Sequence, residues 1–368
     1  MASTGKPITL QDIARETGYS VNTVSHALRH KDDIAQETGE HIRQIAQKMG
    51  YTGNQIASSL RSGRTHLLAL ILSGMSNPFY ALMEDMIQDA AQAAGYTLII
   101  TCSRDDASLE EKLVEQAIAR RVDGIILFPT NDSAANVARL KALGKPFVLM
   151  SRYLKEGDAD CVVCDEEEGA YLATRHLIEG GHKKLAYISS TRVVYSSEQR
   201  IKGFLRACDA LGIPESDRTI RVSNASILSR RQARGWQVTL ANELRELKRQ
   251  GFDGLFVFCD VEAWHALEVI TNTEDLHMED FGIVSFDNLE KALSYPVSIC
   301  SVGCDYEEMA RRCVELLRAR IHRDTCPPRT VVCPVSLQCR KSCQKHRTSP
   351  DYRSGEAHND IDSVVCKF

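Results

Sequence analysis

From His66 onward, short apolar runs alternate with longer amphipathic segments, and this alternation limits the fold more than any other feature of the chain. Leu67–Leu72, Tyr96–Thr101, Gly124–Phe128, Phe147–Met150, Leu185–Ile188, Gly254–Phe258, Gly282–Phe286 and Ser298–Val302 read as buried strands. Between them Phe79–Ala94, Leu109–Arg121, Glu166–Glu179, Ser196–Leu211 and Ala233–Gln250 carry a helical period, with glycine at many junctions. Such alternation builds parallel sheets covered by helices on both faces. About three hundred residues of it form two doubly wound sheets more comfortably than one.

Open α/β sheets bind ligands at the carboxyl ends of their strands. The polar residues there are the ligand candidates: Ser73, Ser76 and Asn77 with the neighbouring Phe79, then Ser151 and Arg152, then Asp165 and Glu166 after a short extended segment. Cys259 and Asp260, and Asp287 and Asn288, follow later strands, and Arg200 starts a helix that can face the same space. Arginine, aspartate, asparagine and serine together suit a small, polar, hydroxyl-rich ligand, because charged groups make the stronger directional hydrogen bonds.

The first sixty residues follow a different pattern. Thr9-Leu-Gln-Asp12 is a capping box. Leu10, Ile13, Ala14 and Thr17 then share one helical face, Gly18 can close the helix in the left-handed conformation, and Ser20 caps a second helix. That helix sets Val21, Val24, Ala27 and Leu28 among Asn22, Thr23, Ser25, His26 and Arg29. A third follows around 36–49, with Ile42, Ile45, Ala46 and Met49 inward. Two short helices around a glycine-containing turn are a helix-turn-helix. The polar start of the second helix suits a major groove: Asn22 can pair with adenine, while Ser20, Thr23 and Ser25 can reach phosphates or bases. A solvated polar face is the plainer alternative for such a helix.

The string Ile8-Thr-Leu-Gln-Asp-Ile-Ala-Arg-Glu-Thr-Gly-Tyr-Ser-Val-Asn-Thr-Val-Ser-His-Ala-Leu28 resembles the head of the lactose/galactose repressor (LacI/GalR) family, and the likeness continues through Met49-Gly-Tyr51 to Asn54–Thr65. Ser76-Asn-Pro-Phe-Tyr80, Arg121–Ile126, His176–His182, Arg200–Phe204 and Gly282–Asp287 resemble blocks of the family's periplasmic-binding-protein-like body. The resemblance covers roughly residues 8–340 and implies a small all-α head on two doubly wound parallel-sheet subdomains. It implies a head over 1–52, a hinge helix and linker over 53–65, and a ligand-binding and dimerisation body over 66–343. The body would divide into 66–164 with 292–325, and 165–291 with 326–343; residues 344–368 read as a disordered tail without leucine heptads. The family's hinge helix corresponds to residues 54–61, with Asn54 as its N-cap, Ala57 within it and Leu60 at the position of a minor-groove wedge. The candidate DNA contacts are therefore Thr9, Ser20, Val21, Asn22, Thr23, Ser25, His26, Arg29, Asn54, Ala57 and Leu60. The positions of Arg152, Arg200 and Asp287 commonly line the family's effector pocket. Three residues depart from the pattern: Gly53 replaces a usual proline, His26 a base-reading arginine, and Cys259 a frequent asparagine.

The implied partners are a pseudo-palindromic DNA duplex, a carbohydrate or nucleobase effector, and a second copy of the chain. Charge agrees: residues 1–65 hold eight Lys/Arg against six Asp/Glu, about +2, leaving about −6 of the total −4 on the remainder. The N-terminus lacks the apolar core of a secretory signal and no apolar run approaches the ~20 residues of a membrane span, so a cytoplasmic location is expected. Thirteen cysteines then read as small hydrophobes or free thiols. Cys161-Val-Val-Cys164 has redox spacing without a helix start to activate it. Cys326, Cys333, Cys339 and Cys343 can be drawn as a zinc site, but their gaps lack the short pairs of zinc ribbons. No cofactor or metal is expected. A solute-binding protein and an α/β enzyme are the rival readings; the head opposes the first, and the lack of a phosphate loop or nucleophile elbow opposes the second.

Overall fold

The computed structural model describes residues 8–29, 33–51, 63–152, 159–189, 194–222, 235–291 and 298–343. The hinge helix expected over 54–61, with Asn54, Ala57 and Leu60, and the tail over 344–368 lie outside them. The chain forms two compact units, Met1–Thr65 and His66–Phe368.

The first unit is three helices, α1 (Leu10–Thr17), α2 (Val21–Ala27) and α3 (Gln36–Lys48). Local hydrogen bonding sets their ends. The Thr9 amide and hydroxyl donate to the Asp12 carboxylate at 2.9 and 2.6 Å, and the Asp12 amide donates back to Thr9 Oγ1 at 3.3 Å. Gly18 closes α1 at φ +74°, a left-handed conformation that glycine adopts without steric cost. The Ser20 hydroxyl then accepts from the Thr23 amide at 3.1 Å and starts α2. Ile13, Val24, Ala27, Ile42 and Ala46 form the core, flanked by Ile8, Leu10, Ile34, Met49 and Tyr51.

The second unit holds two six-stranded sheets. In the first the strand order is β11-β5-β4-β3-β1-β2, with β1 Leu67–Leu72, β2 Thr97–Cys102, β3 Gly124–Leu127, β4 Phe147–Met150, β5 Cys161–Cys164 and β11 Thr330–Cys333, all parallel. In the second it is β12-β10-β9-β8-β6-β7, with β6 Leu185–Ser189, β7 Arg218–Val222, β8 Gly254–Val257, β9 Gly282–Phe286, β10 Cys300–Cys304 and β12 Val335–Gln338. Only β12 runs antiparallel to its neighbour. The two-residue period of a strand shows directly in β1. Leu68, Leu70 and Leu72 pack under α4 (Pro78–Ala93) and α11 (Tyr306–Ile321), while Ala69 and Ile71 join Val114 of α5 (Ala107–Ala119) and Leu140 of α6 (Ala134–Ala142) on the other face. In the second sheet, α7 (Glu166–Glu179) and α8 (Tyr195–Ala210) cover one face, α9 (Trp236–Arg249) and α10 (Asp260–Thr271) the other.

The expected division of the body needs correction. Residues 292–325 do not belong wholly with the first sheet, because β10 pairs in parallel with β9 of the second. Residues 326–343 do not belong wholly with the second, because β11 pairs with β5 in the first. The three crossings therefore fall between β5 and α7, between β10 and α11, and between β11 and β12. The reason is register: Cys300–Val302 match Val284–Phe286, and Thr330–Cys333 extend the row begun by Cys161–Cys164.

α7 and α8 approach so closely that only glycine fits at 203. A Cβ there would lie 2.7 Å from the Ala170 Cβ and overlap the Glu167 carbonyl oxygen, which is backbone and cannot move aside. Gly203→Ala is expected to cost ~1–3 kcal/mol and to lower the melting temperature of the body by several degrees in a calorimetric scan. An unchanged melting temperature would show that the pair separates freely.

Candidate functional site

Two sites emerge, one in each unit. In the first, Val21 and Asn22 are exposed at the start of α2, beside the exposed Tyr19 and Ser20. Thr23 is half-buried, and its hydroxyl bonds that of Ser20 at 2.8 Å, so both hydroxyls are engaged in the cap. Thr9 is exposed, but its hydroxyl serves the capping box. Ser25 does not join the exposed face: it is buried beside Val24 and accepts a hydrogen bond from Arg29, whose backbone lies at the exposed end of the helix. His26 is half-buried, with Nδ1 2.6 Å from an Asp33 carboxylate oxygen. A carboxylate acceptor puts the proton on Nδ1 and leaves Nε2 as the nitrogen available outward.

In the second unit a cleft opens where strands of both sheets end. Its cavity of about 80 Å³ is lined on one side by Asn77, Tyr80, Ser151, Arg152 and Tyr306, and on the other by Glu166, Ser196, Arg200, Phe258 and Asp287, with Phe79, Cys164 and Phe286 completing it. That volume is well below the ~300 Å³ at the lower end of small-molecule pockets. A larger open groove, about 600 Å³ between α9 and α10, is lined by residues such as Val238 and Asn272. It lies on the outer helices, away from the strand ends, and has no comparable convergence of buried charge.

Arg200 organises the cleft. Its Nε donates to Glu166 at 2.7 Å, a second nitrogen lies 3.6 Å from Asp287, and a third donates to the Phe258 carbonyl. The guanidinium is stacked 3.7 Å from the Phe286 ring centroid and 4.6 Å from that of Phe258. All three charged side chains are buried. One cation cannot neutralise two carboxylates out of water. Burial pushes the Asp287 carboxyl up to about 8, against the opposing pull of Arg200 and with further push from Asp260 and Glu166. Arg200 and Glu166 form the close ion pair, and Asp287 is the member of the cluster that holds a proton most readily, in which form it can both donate and accept. Three non-glycine residues at these strand ends have left-handed backbones: Ser151 at φ +65°, Asp287 at +103° and Asn288 at +48°. Each such conformation costs about 1–3 kcal/mol and persists where its surroundings demand it.

The raised acid has a sign that can be tested. Asp287 keeps a proton in the folded chain that the unfolded chain releases near 3.8. Its contribution to stability is full below that pH and is lost as the pH rises towards about 8, at up to ~1.4 kcal/mol per pH unit. Asp287→Asn keeps the shape without the proton. Its melting temperature is expected to fall less than that of the native chain between about pH 6 and 8; parallel curves would mean that Asp287 is already ionised.

Four expected ligand residues have other work. Ser73 is buried and bonds the Tyr80 hydroxyl at 2.7 Å, so it supports a lining residue. Asp165 caps α7, accepting from the Glu168 amide at 3.1 Å. Cys259 is buried with Val261 and Leu289. Asp260 is buried beneath the loop after β9, where it accepts from the Ser301 hydroxyl at 2.6 Å, the Leu289 amide at 2.7 Å and the Ser285 hydroxyl. Asn77 lines the cleft while capping α4 through the Phe79 amide at 2.9 Å, and Arg152 reaches it while paired with Asp105 at 3.1 Å. The aromatic lining was not anticipated beyond Phe79. Phe258 and Phe286 end apolar runs, and their position at the carboxyl ends of β8 and β9 was the available signal.

Comparison with known proteins places this geometry. A profile described as "Bacterial regulatory proteins, lacI family" matches residues 9–54, and one described as "Periplasmic binding protein domain" matches residues 68–322. The chain is 28% identical to the HTH-type transcriptional regulator DegA of Bacillus subtilis, over 93% of this chain and 98% of that protein. It is 26% identical to catabolite control protein A of Priestia megaterium, over 91% and 99% respectively. A lac repressor dimer bound to operator and the anti-inducer ONPF superposes with a TM-score of 0.79 at 20% identity, over 92% of this chain and 100% of that one. A periplasmic binding protein/LacI transcriptional regulator from Alkaliphilus metalliredigens, complexed with D-xylulofuranose, matches with a TM-score of 0.63 at 25% identity, over 75% and 98%. Among the described residues, no helix is long and apolar enough to cross a membrane.

Proposed function

The chain belongs to the lacI family of bacterial regulatory proteins, and from that premise we propose how this DNA-binding transcription regulator works. It represses as a homodimer on a pseudo-palindromic operator in the bacterial cytoplasm, and a small, hydroxyl-rich, uncharged effector in the cleft switches its grip. The observation that carries the effector reading is the buried Arg200–Glu166–Asp287 cluster between two phenylalanine rings at the strand ends. A protonated Asp287 and a fixed guanidinium offer directional donors and an acceptor, and Phe79, Tyr80 and Tyr306 of the lining offer the apolar surface that a sugar ring or a nucleobase also needs. The sugar complex of a similar protein supports this ligand class. The cleft is read as a binding site rather than a reaction centre, because the chain resembles transcriptional regulators along nearly its whole length. A cavity of about 80 Å³ is small for a sugar or nucleobase, so ligand binding is proposed to part the sheets about the three crossings. A thermal-shift screen of sugars and nucleobases on the full chain tests this. One class is expected to raise the melting temperature of the native chain and to leave a cleft variant, Arg152→Ala, unmoved; an equal shift in both would remove the cleft from the account.

Operator reading is proposed to rest on Val21, Asn22 and His26, with Asn54, Ala57 and Leu60 of the hinge contributing on the minor-groove side. Asp33 holds Nδ1 of His26, which leaves Nε2 as a single donor or acceptor for a base edge where arginine offers a two-pronged donor. The operator is thereby expected to differ from the family's common half-site at that base pair, and His26→Arg to restore a guanine preference worth ~1–3 kcal/mol, about 5- to 150-fold. Binding-site selection with both proteins decides it. Selection of the common half-site by the native chain would overturn this reading.

A further inference from the structure

We infer that the second sheet carries a structural zinc site of three cysteines and one histidine. Its ligands are His176 in the last turn of α7, Cys300 at the start of β10, and Cys339 and Cys343 just beyond β12. These come from three separate parts of the chain, yet their four ligand atoms all lie within 4.8 Å of one another. His176 Nε2 is 2.9 Å from Cys343 Sγ, and Cys300 Sγ is 3.0 Å from Cys343 Sγ. Bond lengths of about 2.3 Å to sulfur and 2.0–2.1 Å to nitrogen set tetrahedral ligand atoms roughly 3.5–3.8 Å apart. The two closest contacts are shorter than that value and all four atoms lie within 4.8 Å, so small side-chain rotations are what the tetrahedron asks for.

The surroundings suit a thiolate–metal centre. The Arg340 amide donates to Cys300 Sγ at 2.9 Å, the kind of outer hydrogen bond that steadies a ligating sulfur. Ser342 docks the same segment on the sheet: it accepts from the Cys300 amide at 2.8 Å and donates to the Ile283 carbonyl at 2.6 Å. Cys300 and Cys343 are buried, His176 is half-buried and Cys339 is exposed, which gives the ion a path in. Three thiolates and an imidazole select a soft or borderline ion, and zinc accepts this set in closed structural sites. The site ties residues 339–343 to both β10 and α7. The four cysteines first considered for zinc are a different set. Cys333 is buried in the first sheet's core and Cys326 is exposed elsewhere, so the fold replaces them with His176 and Cys300.

The test uses the untagged full-length chain, purified reduced from zinc-containing medium. Elemental analysis is expected to find one zinc per chain that survives desalting. Exchange with cobalt(II) is expected to give sulfur-to-cobalt charge-transfer absorption and the intense visible bands of a tetrahedral ion. Cys339→Ser, which changes an exposed side chain outside the core, and His176→Gln are each expected to reduce the retained metal to trace levels, while Cys326→Ser keeps the full complement. The proposal fails if the folded, reduced native chain retains no zinc and gives no cobalt spectrum. It fails equally if Cys339→Ser binds the ion as the native chain does, or if Cys300 and Cys343 are found joined as a disulfide in the reduced preparation.

Discussion

Replacing Arg200 by alanine is expected to destabilise the body by about 3–5 kcal/mol and to abolish ligand binding in the cleft. The magnitude follows from what would be left behind. Glu166 and Asp287 are buried, and the charge on Glu166 is balanced by the guanidinium 2.7 Å away. Removing one partner of a buried pair leaves an uncompensated charge, which costs far more than the pair itself contributes. The two phenylalanine rings would also lose the plane stacked between them. This explanation separates from a simple packing defect in a double variant. Arg200→Met with Glu166→Gln removes both charges and keeps the bulk, so it should recover much of the stability, yet it should still fail to bind ligand. Chemical denaturation of the single and double variants measures the first part, and thermal shift with ligand the second. If the double variant is as unstable as Arg200→Ala, volume rather than charge governs the site.

Ile42→Ala is expected to unfold the DNA-binding unit alone. Among the described residues, the core of that unit is built on five buried apolar side chains, Ile13, Val24, Ala27, Ile42 and Ala46. Removing three carbons from an enclosed isoleucine costs about 2–5 kcal/mol, and a core this small supplies only ~3–5 kcal/mol in total. Specific operator binding should therefore fall to the level of non-specific DNA binding, about 10³-fold or more. The body has its own cores, so its melting transition should stay in place. Val21→Ala provides the contrast: Val21 is exposed, so the head should stay folded while operator affinity drops modestly. Anisotropy with labelled operator, read beside calorimetry, distinguishes the two. A normal affinity for Ile42→Ala would mean that the head draws its stability from outside this core.

Local chemistry made the head readable in advance. The capping box at Thr9 and Asp12, the left-handed Gly18 and the Ser20 cap are each decided within four residues, and the structure holds all three. The interior strands other than β5 were readable for a similar reason, since a long apolar run has few alternatives, whereas Cys161–Cys164 read only as a short extended segment. Of the edge strands, β2 was readable as an apolar run, and β7, β11 and β12 were not. β7, Arg218–Val222, mixes two arginines with threonine, isoleucine and valine and is only partly buried, and β11 and β12 are four residues each. Their identity comes from pairing with distant strands, which no local pattern records. The cleft divides along the same line. Arg200 and Asp287 stood out by type and position, but nothing local tells that Asp260 turns inward to hold Leu289 while Asp287 turns to the cavity. The cysteines are the extreme case. His176, Cys300, Cys339 and Cys343 converge only because β10 joins the second sheet and β12 folds back against it.

The central claim is that occupation of the cleft changes the grip on DNA, and one titration tests it most directly. Operator affinity is measured by anisotropy for the native chain and for Arg152→Ala, with and without a ligand that raises the native melting temperature. The native chain is expected to change its operator Kd by about 5- to 150-fold when ligand is present, the usual range of coupling between two sites. Arg152→Ala should bind operator normally and show no change. A native operator Kd that ignores a bound cleft ligand, or a variant that responds as the native chain does, would contradict the account.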